Sequence, residues 1–236
     1  MKLARFWFVV LLGTLGCNAA FAQAFPGKPM RAIVPFPPGG SVDAVMRFLG
    51  QQVSESTGQP VLVENRPGGM SFIGMSACAK SPPDGYTVCS TTPDSLTFST
   101  FLYTNVPYDA ENDFVGITNL VITSGVPYTR VQSPHNSFKD VIAAEKAQPG
   151  SLNFATWGPG SAPDLYAPAR TPPAIVDRLN AEFVKALRNP ASEKFFVAQT
   201  LEVVGNSPAE FAKFLKADHA GRLLKALGVQ RQAAPN

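Results

Sequence analysis

From Met30 onward, apolar and polar positions alternate with two different periods. "MRAIVPF" reads as a strand, "SVDAVMRFLGQQVSEST" as a helix, "PVLVEN" as a strand, "FIGMSACAKS" as a helix and "YTVCSTT" as a strand. This is the rhythm of a parallel α/β sheet. In the first helix Val42, Val45, Met46, Leu49 and Val53 fall at i, i+3, i+4, i+7 and i+11. One apolar stripe therefore faces a sheet, and core packing accounts for it. A second segment opens near residue 115, where "GITNLVITSGVPYTRVQ" is strand-rich. "SFKDVIAAEKAQPG" follows as a helix, with Ser137 at its N-cap, Asp140 three residues on and Gly150 past its end. "SLNFAT" then returns as a strand. After "WGPGSAPDLYAPAR", three helical patterns close the chain. Thr171 and Pro172 open the first, which carries Ile175, Val176, Leu179, Phe183 and Leu187 on one face. The second is short, around "SEKFFVAQ", and Ser207 to Glu210 forms a capping box for the last, with Phe211, Phe214 and Leu215 behind it.

The first residues stand outside this rhythm. "MKLARFWFVVLLGTLGCNAAFAQ" combines a basic start, an apolar run and small residues at its end, the composition of a secretory signal. Ala20-Phe21-Ala22 supplies the small-x-small pattern, so cleavage is expected after Ala22. Leu15-Gly16-Cys17 has part of a lipoprotein pattern, but Thr14 stands where leucine is usual, which makes Cys17 the less favoured processing site. The run from Phe6 to Leu15 is shorter than the ~20 residues that span a bilayer.

Composition narrows the classes further. Removing Lys2 and Arg5 with the leader takes 20 basic against 17 acidic residues to 18 against 17. A near-neutral chain without clustered Lys and Arg is not expected to bind nucleic acid. Cys78 and Cys89 flank "AKSPPDGYTV"; in an oxidising compartment they can bridge, and otherwise they read as two small buried side chains. Their spacing is not that of a zinc site, and His135 and His219 lack partners at ligand spacing, so neither a metal nor any other cofactor is expected.

The candidate chemistry lies in "VPFPPGGSVDAV", residues 34 to 45, where a strand passes through a glycine turn into a helix. Gly39 and Gly40 have no Cβ, so backbone N–H groups can approach a ligand oxygen, and the helix starting near Ser41 aims its positive dipole end at the same place. A carboxylate suits such a pocket. Alone, Pro-Pro-Gly-Gly is also what a tight turn requires. Asp43, in the first helical turn, reads either as a stabiliser of that helix end or as a ligand contact.

"KPMRAIVPFPPGGSVDAVMR", "GQPVLVENRPGG", "AKSPPDGYTVC", "PYDAENDF", "AEKAQPGSLNFAT" and "APARTPPAIVDRLNAEFVKAL" occur in this order between about residue 26 and residue 228. Together they resemble the substrate-binding proteins of tripartite tricarboxylate transporters, the Bug family. The resemblance implies an α/β, periplasmic-binding-protein-like fold of type II, in which two lobes close on a small carboxylate. It implies a periplasmic, monomeric, non-catalytic protein that delivers its ligand to membrane permease subunits. Carried over by motif, the ligand contacts fall on Phe36, Pro38, Gly39, Gly40, Ser41 and Asp43 in the first lobe. Thr156, Gly158, Gly160 and Ser161 in "FATWGPGSAPDL" fall on the second.

The resemblance breaks after that loop. Asp164 stands where a histidine is usual, and "LYAPARTPPAIVDRLN" resembles a segment that the family places much later. The chain therefore lacks an internal block of about 80 to 90 residues, close to a small domain. Residues 23 to 112 and 166 to 236 are expected to form a largely complete first lobe, and 113 to 165 the remnant of a truncated second one. Two readings follow, a carboxylate-binding protein of this transporter class and an internally deleted remnant that binds nothing. A secreted hydrolase fits less well, because Ser161 in "GPGSAP" lacks the Gly-x-Ser-x-Gly context. Glu64 and Arg66 in "ENRPGG" read as a strand end with Arg66 paired or solvated. Tyr103 reads as packing near the lobe crossover, and Trp157 either lines the cleft or covers apolar surface.

Overall fold

The computed structural model describes residues 25–123, 130–152 and 163–217. Strand β1 (Met30–Val34) leads into helix α1 (Ser41–Thr57), β2 (Val61–Asn65), α2 (Phe72–Ala79) and β3 (Thr87–Thr91). A π-type turn (Asp94–Phe98) and the short α3 (Ser99–Leu102) follow, then β4 (Phe114–Asn119), β5 (Val121–Thr123) and α4 (Phe138–Ala147). The chain returns through β6 (Asp164–Pro168), α5 (Pro173–Leu187), α6 (Pro190–Ala198), β7 (Leu201–Val203) and α7 (Pro208–Ala217).

The main sheet has five strands in the order β2-β1-β3-β6-β4. β1 runs parallel to β2 and β3, as the alternation of strands and helices predicts, whereas β6 is antiparallel to both β3 and β4. Alternate side chains serve the two faces. Met30, Ala32 and Val34 join Val88, Leu165 and Ala167 under α1 and α5, where the predicted stripe of Val42, Val45, Met46, Leu49 and Val53 is fully used. Ile33, Cys89 and Tyr166 turn the other way, toward Phe72, Met75 and Cys78 of α2 and Phe211 of α7. Each Val, Leu, Ile, Met or Phe among them contributes roughly 2 kcal/mol on burial, before the entropy of ordering it is charged against it.

Helix ends follow local chemistry. Ser137 accepts the Asp140 N–H, and Ser207 and Glu210 close the predicted capping box, with the Ser207 N–H donating to Glu210 Oε2 at 2.9 Å. α5 starts at Pro173, with Pro172 rather than Thr171 at its N-cap, because the Thr171 hydroxyl donates instead to the Pro168 carbonyl at 2.7 Å.

β6 has no counterpart among the strands predicted from the pattern. All five of its residues are buried, so no polar face marks it, and prolines stand at its border and its end. Its antiparallel direction lets the chain re-enter the sheet next to β3 after the excursion that begins at β5. The five-stranded sheet thus includes both β4 and β6. Beyond it, β5 pairs with β7 in a separate antiparallel ladder, Val121 opposite Val203.

Cys78, in α2, and Cys89, in β3, are joined by a disulfide, their Cα atoms 6.2 Å apart and 11 positions apart in sequence. Both are buried in the α2 face of the core. Closing a loop of this length removes about 3 kcal/mol of unfolded-state freedom. Replacing both cysteines with alanine is therefore expected to lower the free energy of unfolding by about 3 kcal/mol, read as a lower urea midpoint. An unchanged midpoint would remove the bridge from the list of stabilising interactions.

Candidate functional site

The segment between β1 and α1 is shaped by one carboxylate. Gly39 takes a positive φ of 89°, the left-handed region that favours glycine, and Gly40 is the N-cap of α1, with no side chain to cap it. Asp43, in the first turn of α1, is buried and reaches back. Its Oδ2 accepts the Gly39 N–H at 2.9 Å and Arg47 Nε–H at 3.0 Å. Its Oδ1 accepts Asn65 Nδ2–H at 2.9 Å and lies 3.0 Å from Arg47 Nη2. Arg47 Nη2 also donates to Asn65 Oδ1 at 2.7 Å, and Asn65 Nδ2 to the Phe36 carbonyl at 3.1 Å. Burial raises the Asp43 pKa, but the hydrogen bonds from Arg47, Gly39 and Asn65 and the charge of Arg47 outweigh it and hold the carboxyl below its usual range.

Asn65 closes β2, so the "ENRPGG" segment is tied to the glycine loop through this cluster. α2 closes in from the other side: a Cβ on Gly74 would stand 2.7 Å from Pro35 Cβ and 2.8 Å from the Arg66 carbonyl oxygen, so only glycine fits there. Arg66 is paired, its Nε 2.6 Å from Glu64 Oε1. Phe36 is half-buried, while Pro38, Gly39, Gly40 and Ser41 are exposed. The N–H groups of Ser41 and Val42 meet no acceptor among the described residues, which leaves the positive end of α1 facing outward beside an exposed glycine turn. Thr156, Trp157, Gly158, Gly160 and Ser161, expected on the opposite side, lie outside the described residues, as do residues 1 to 24 and His219. Tyr103 packs edge-on against Phe72, their ring centres 5.6 Å apart.

The carboxyl edge of the sheet carries a second polar group. Thr91 ends β3, Asp164 begins β6 and Asn119 ends β4; Thr91 and Asn119 are the registered partners of Asp164 on its two sides. Thr91 Oγ1, Asn119 Oδ1 and Asp164 Oδ1 are buried and have no hydrogen-bond partner among the described residues. Asp164 Oδ2 accepts from the Tyr166 hydroxyl at 3.3 Å. Burial pushes the Asp164 carboxyl up to about 8, the Tyr166 hydrogen bond countering only part of the effect. Sequence reasoning singled out Asp164 for the histidine it replaces and missed Thr91 and Asn119. No local signal marks them, because β3 also carries Thr87 and Ser90 and β4 also carries Thr118.

Comparison with known proteins places this geometry among relatives. The sequence profile described as "Tripartite tricarboxylate transporter family receptor" matches residues 45–167. The chain is 35% identical over 173 residues to a UPF0065 protein from the tcbD-tcbE intergenic region of Pseudomonas sp., covering 72% of this chain and 50% of that protein. It is 38% identical over 157 residues to Protein BugT of Bordetella pertussis, covering 64% and 47%. The chain thus spans about half the length of the curated relatives it matches. Among solved structures, one titled as a periplasmic transporter superposes with a TM-score of 0.75 at 26% identity, over 88% of this chain and 99% of the other. An adipate-bound protein of R. palustris shares the fold at a TM-score of 0.68 and 20% identity, covering 87% and 98%. A malate-bound protein of Rhodopseudomonas palustris shares it at 0.65 and 17%, covering 81% and 96%.

The Asp164 carboxyl makes stability depend on pH. With its folded pKa near 8 and an unfolded value near 4, the group favours folding fully below about pH 4, and that contribution is lost as pH rises toward 8. Asp164→Asn should match the unmodified chain in thermal stability near pH 4 and exceed it by on the order of a few kcal/mol near pH 8. A difference that does not change with pH would refute this assignment.

Proposed function

Because the chain belongs to the tripartite tricarboxylate transporter receptor family, we propose that it captures a small carboxylate in the periplasm for delivery to membrane permease subunits. The observation that carries this reading is the β1–α1 loop, where an exposed glycine turn and the uncapped start of α1 present backbone N–H groups and a positive dipole end together. In this reading one carboxylate of the ligand accepts from the Gly40 and Ser41 N–H groups, Phe36 forms the apolar floor, and Pro38 fixes the turn. Asp43, with its carboxylate engaged by Gly39, Arg47 and Asn65, holds the loop in shape before the ligand arrives. Thr156, Gly158, Gly160 and Ser161 serve from the remainder of the second lobe. The adipate and malate in the similar folds indicate the size of ligand such a cleft encloses.

The remaining features fit the same role. No helix among the described residues is long and apolar enough to cross a membrane. We assign residues 1 to 22 to a leader cleaved after Ala22, and the mature protein to a monomer without catalytic activity or cofactor. The hydrolase alternative rests on Ser161, outside the described residues, and no observation favours it.

A second reading, a remnant that no longer binds, is favoured by one observation. The structural match covers 99% of the neighbouring chain, while the sequence matches reach only about half of the curated relatives. An internal omission of much of the second lobe would produce this pattern, and a cleft with one incomplete wall buries less of its ligand.

Thermal unfolding with millimolar dicarboxylates separates the two readings. A ligand at about 100 times its Kd adds roughly 2.7 kcal/mol to the folded state, so a cooperative transition should move upward. Asp43→Asn should weaken this binding by about tenfold or more, because the loop loses its ionic hub. A transition that no carboxylate moves would establish the remnant.

A further inference from the structure

We propose that the Cys78–Cys89 bridge is a redox-sensitive latch: it holds the strained segment ahead of α2, and through α2 the β1–α1 loop, so that the loop keeps its binding shape only in the oxidised chain. The inference rests on the carboxylate-binding function proposed above for that loop. Four consecutive residues before α2 take positive φ, Gly68 at 120°, Gly69 at 54°, Met70 at 55° and Ser71 at 75°. The glycines adopt such angles without a steric penalty, whereas Met70 and Ser71 carry a Cβ and do not. Strain of this kind persists only where the surroundings over-determine the backbone, and it collects at clamps and switches. Local contacts do not hold it here. Ser71 is the N-cap residue of α2, yet its side chain makes no capping hydrogen bond. Met70 is 54% exposed, so burial of its side chain does not fix the turn either.

The restraint comes from α2. With eight residues this helix is too short to be stable alone, and it is anchored at both ends. Phe72, its first residue, packs edge-on against Tyr103 and Tyr108, with ring centres 5.6 and 5.8 Å apart. Cys78, beside its last residue, is bonded to Cys89 in β3. Between these anchors Gly74 lies against Pro35, the residue after β1, so closely that a Cβ there would stand 2.7 Å from Pro35 Cβ. Pro35 leads into the turn whose Gly39 N–H donates to Asp43. Relaxation of Met70 and Ser71 to ordinary angles moves the start of α2 and withdraws the support that Gly74 gives Pro35. Without the bridge, only packing opposes that movement.

Opening the latch is a thiol–disulfide exchange. The thiolate of a dithiol attacks one cysteine sulfur, the other leaves as a thiolate, and the second thiol of the reagent then displaces the first cysteine. The dithiol ends as a disulfide and Cys78 and Cys89 as thiols, two electrons having passed to them. Both cysteines are fully buried, so exchange requires α2 to lift first.

Residue-resolved amide hydrogen exchange tests the latch on the oxidised chain, on the chain reduced with dithiothreitol and on the Cys78→Ala, Cys89→Ala variant. Without the bridge, exchange at residues 70–79 and at Gly39 should rise about tenfold or more beyond any change at Ala32 and Ile33 of β1, which report global unfolding. Adding Met70→Gly and Ser71→Gly to the cysteine-free variant should remove that excess at Gly39, because the strain is gone. Calorimetric titration with succinate and malate should follow the same order, with about tenfold weaker binding when the bridge is lost and recovery with the two glycines. In the oxidised chain the same two glycines should raise the urea midpoint, a readout that does not depend on the cysteine-free variant folding; a lowered midpoint would overturn the strain and the latch with it. An excess that is absent at Gly39, or that survives the two glycines, would also overturn the latch and leave the carboxylate reading intact, the bridge then acting on the unfolded chain alone. An oxidised chain that binds neither acid would overturn the carboxylate reading, while exchange at Gly39 still decides whether the bridge holds the loop.

Discussion

A single buried carboxylate, that of Asp43, organises the segment between β1 and α1. A carboxylate in a buried position is stable only when its oxygens are satisfied by donors. Asp43 meets that demand from the turn at Gly39 and its own helix at Arg47, each four residues away, and from the end of β2 at Asn65, 22 residues away. Removing any one donor leaves the buried charge less well compensated, which favours one arrangement of the three segments. The donors that remain outside the cluster, at the start of α1, are then presented in a fixed direction. Preorganisation of this kind lowers the ordering cost that binding otherwise carries.

Much of this arrangement could be read from the residues. The stripe from Val42 to Val53 placed α1 against a sheet, and the polar signals at Ser137 and Ser207 marked helix starts that the structure keeps. The glycine turn was legible for the same reason, since Gly39 adopts a conformation that few other residues tolerate. Asp43 was ambiguous, because a first-turn acid serves the helix dipole in any context, and only Asn65, 22 residues away, shows what its second oxygen does. β6 was illegible because a strand buried on both faces has no alternation to detect. Thr91 and Asn119 were illegible because their meaning comes from a register that brings three distant strand ends together.

A chain that spans about half the length of the relatives it matches can still hold this loop, and the reason lies in the order of the strands. β1, the strand that launches the loop, has β2 on one side and β3 on the other. β6 and β4 complete the sheet beyond β3, so β3 is not left as an open edge. Both faces are covered: α1 and α5 lie on one, α2 and α7 on the other. The last helices, far along the sequence, thus supply the covering that local segments alone could not. The β5–β7 ladder outside this sheet pairs only three residues on each strand, a small structure that depends on the sheet beside it.

The carboxyl edge of the sheet is consequently polarised along its length. At β1 the outward-facing groups are backbone donors at a helix start, which favour an anion. Across β3, β6 and β4 the groups are oxygens, and the carboxyl among them is neutral near pH 7 because burial outweighs the hydrogen bond from the Tyr166 hydroxyl. The two ends of this edge therefore differ in hydrogen-bonding character, with backbone donors beside the start of α1 and buried side-chain oxygens across β3, β6 and β4.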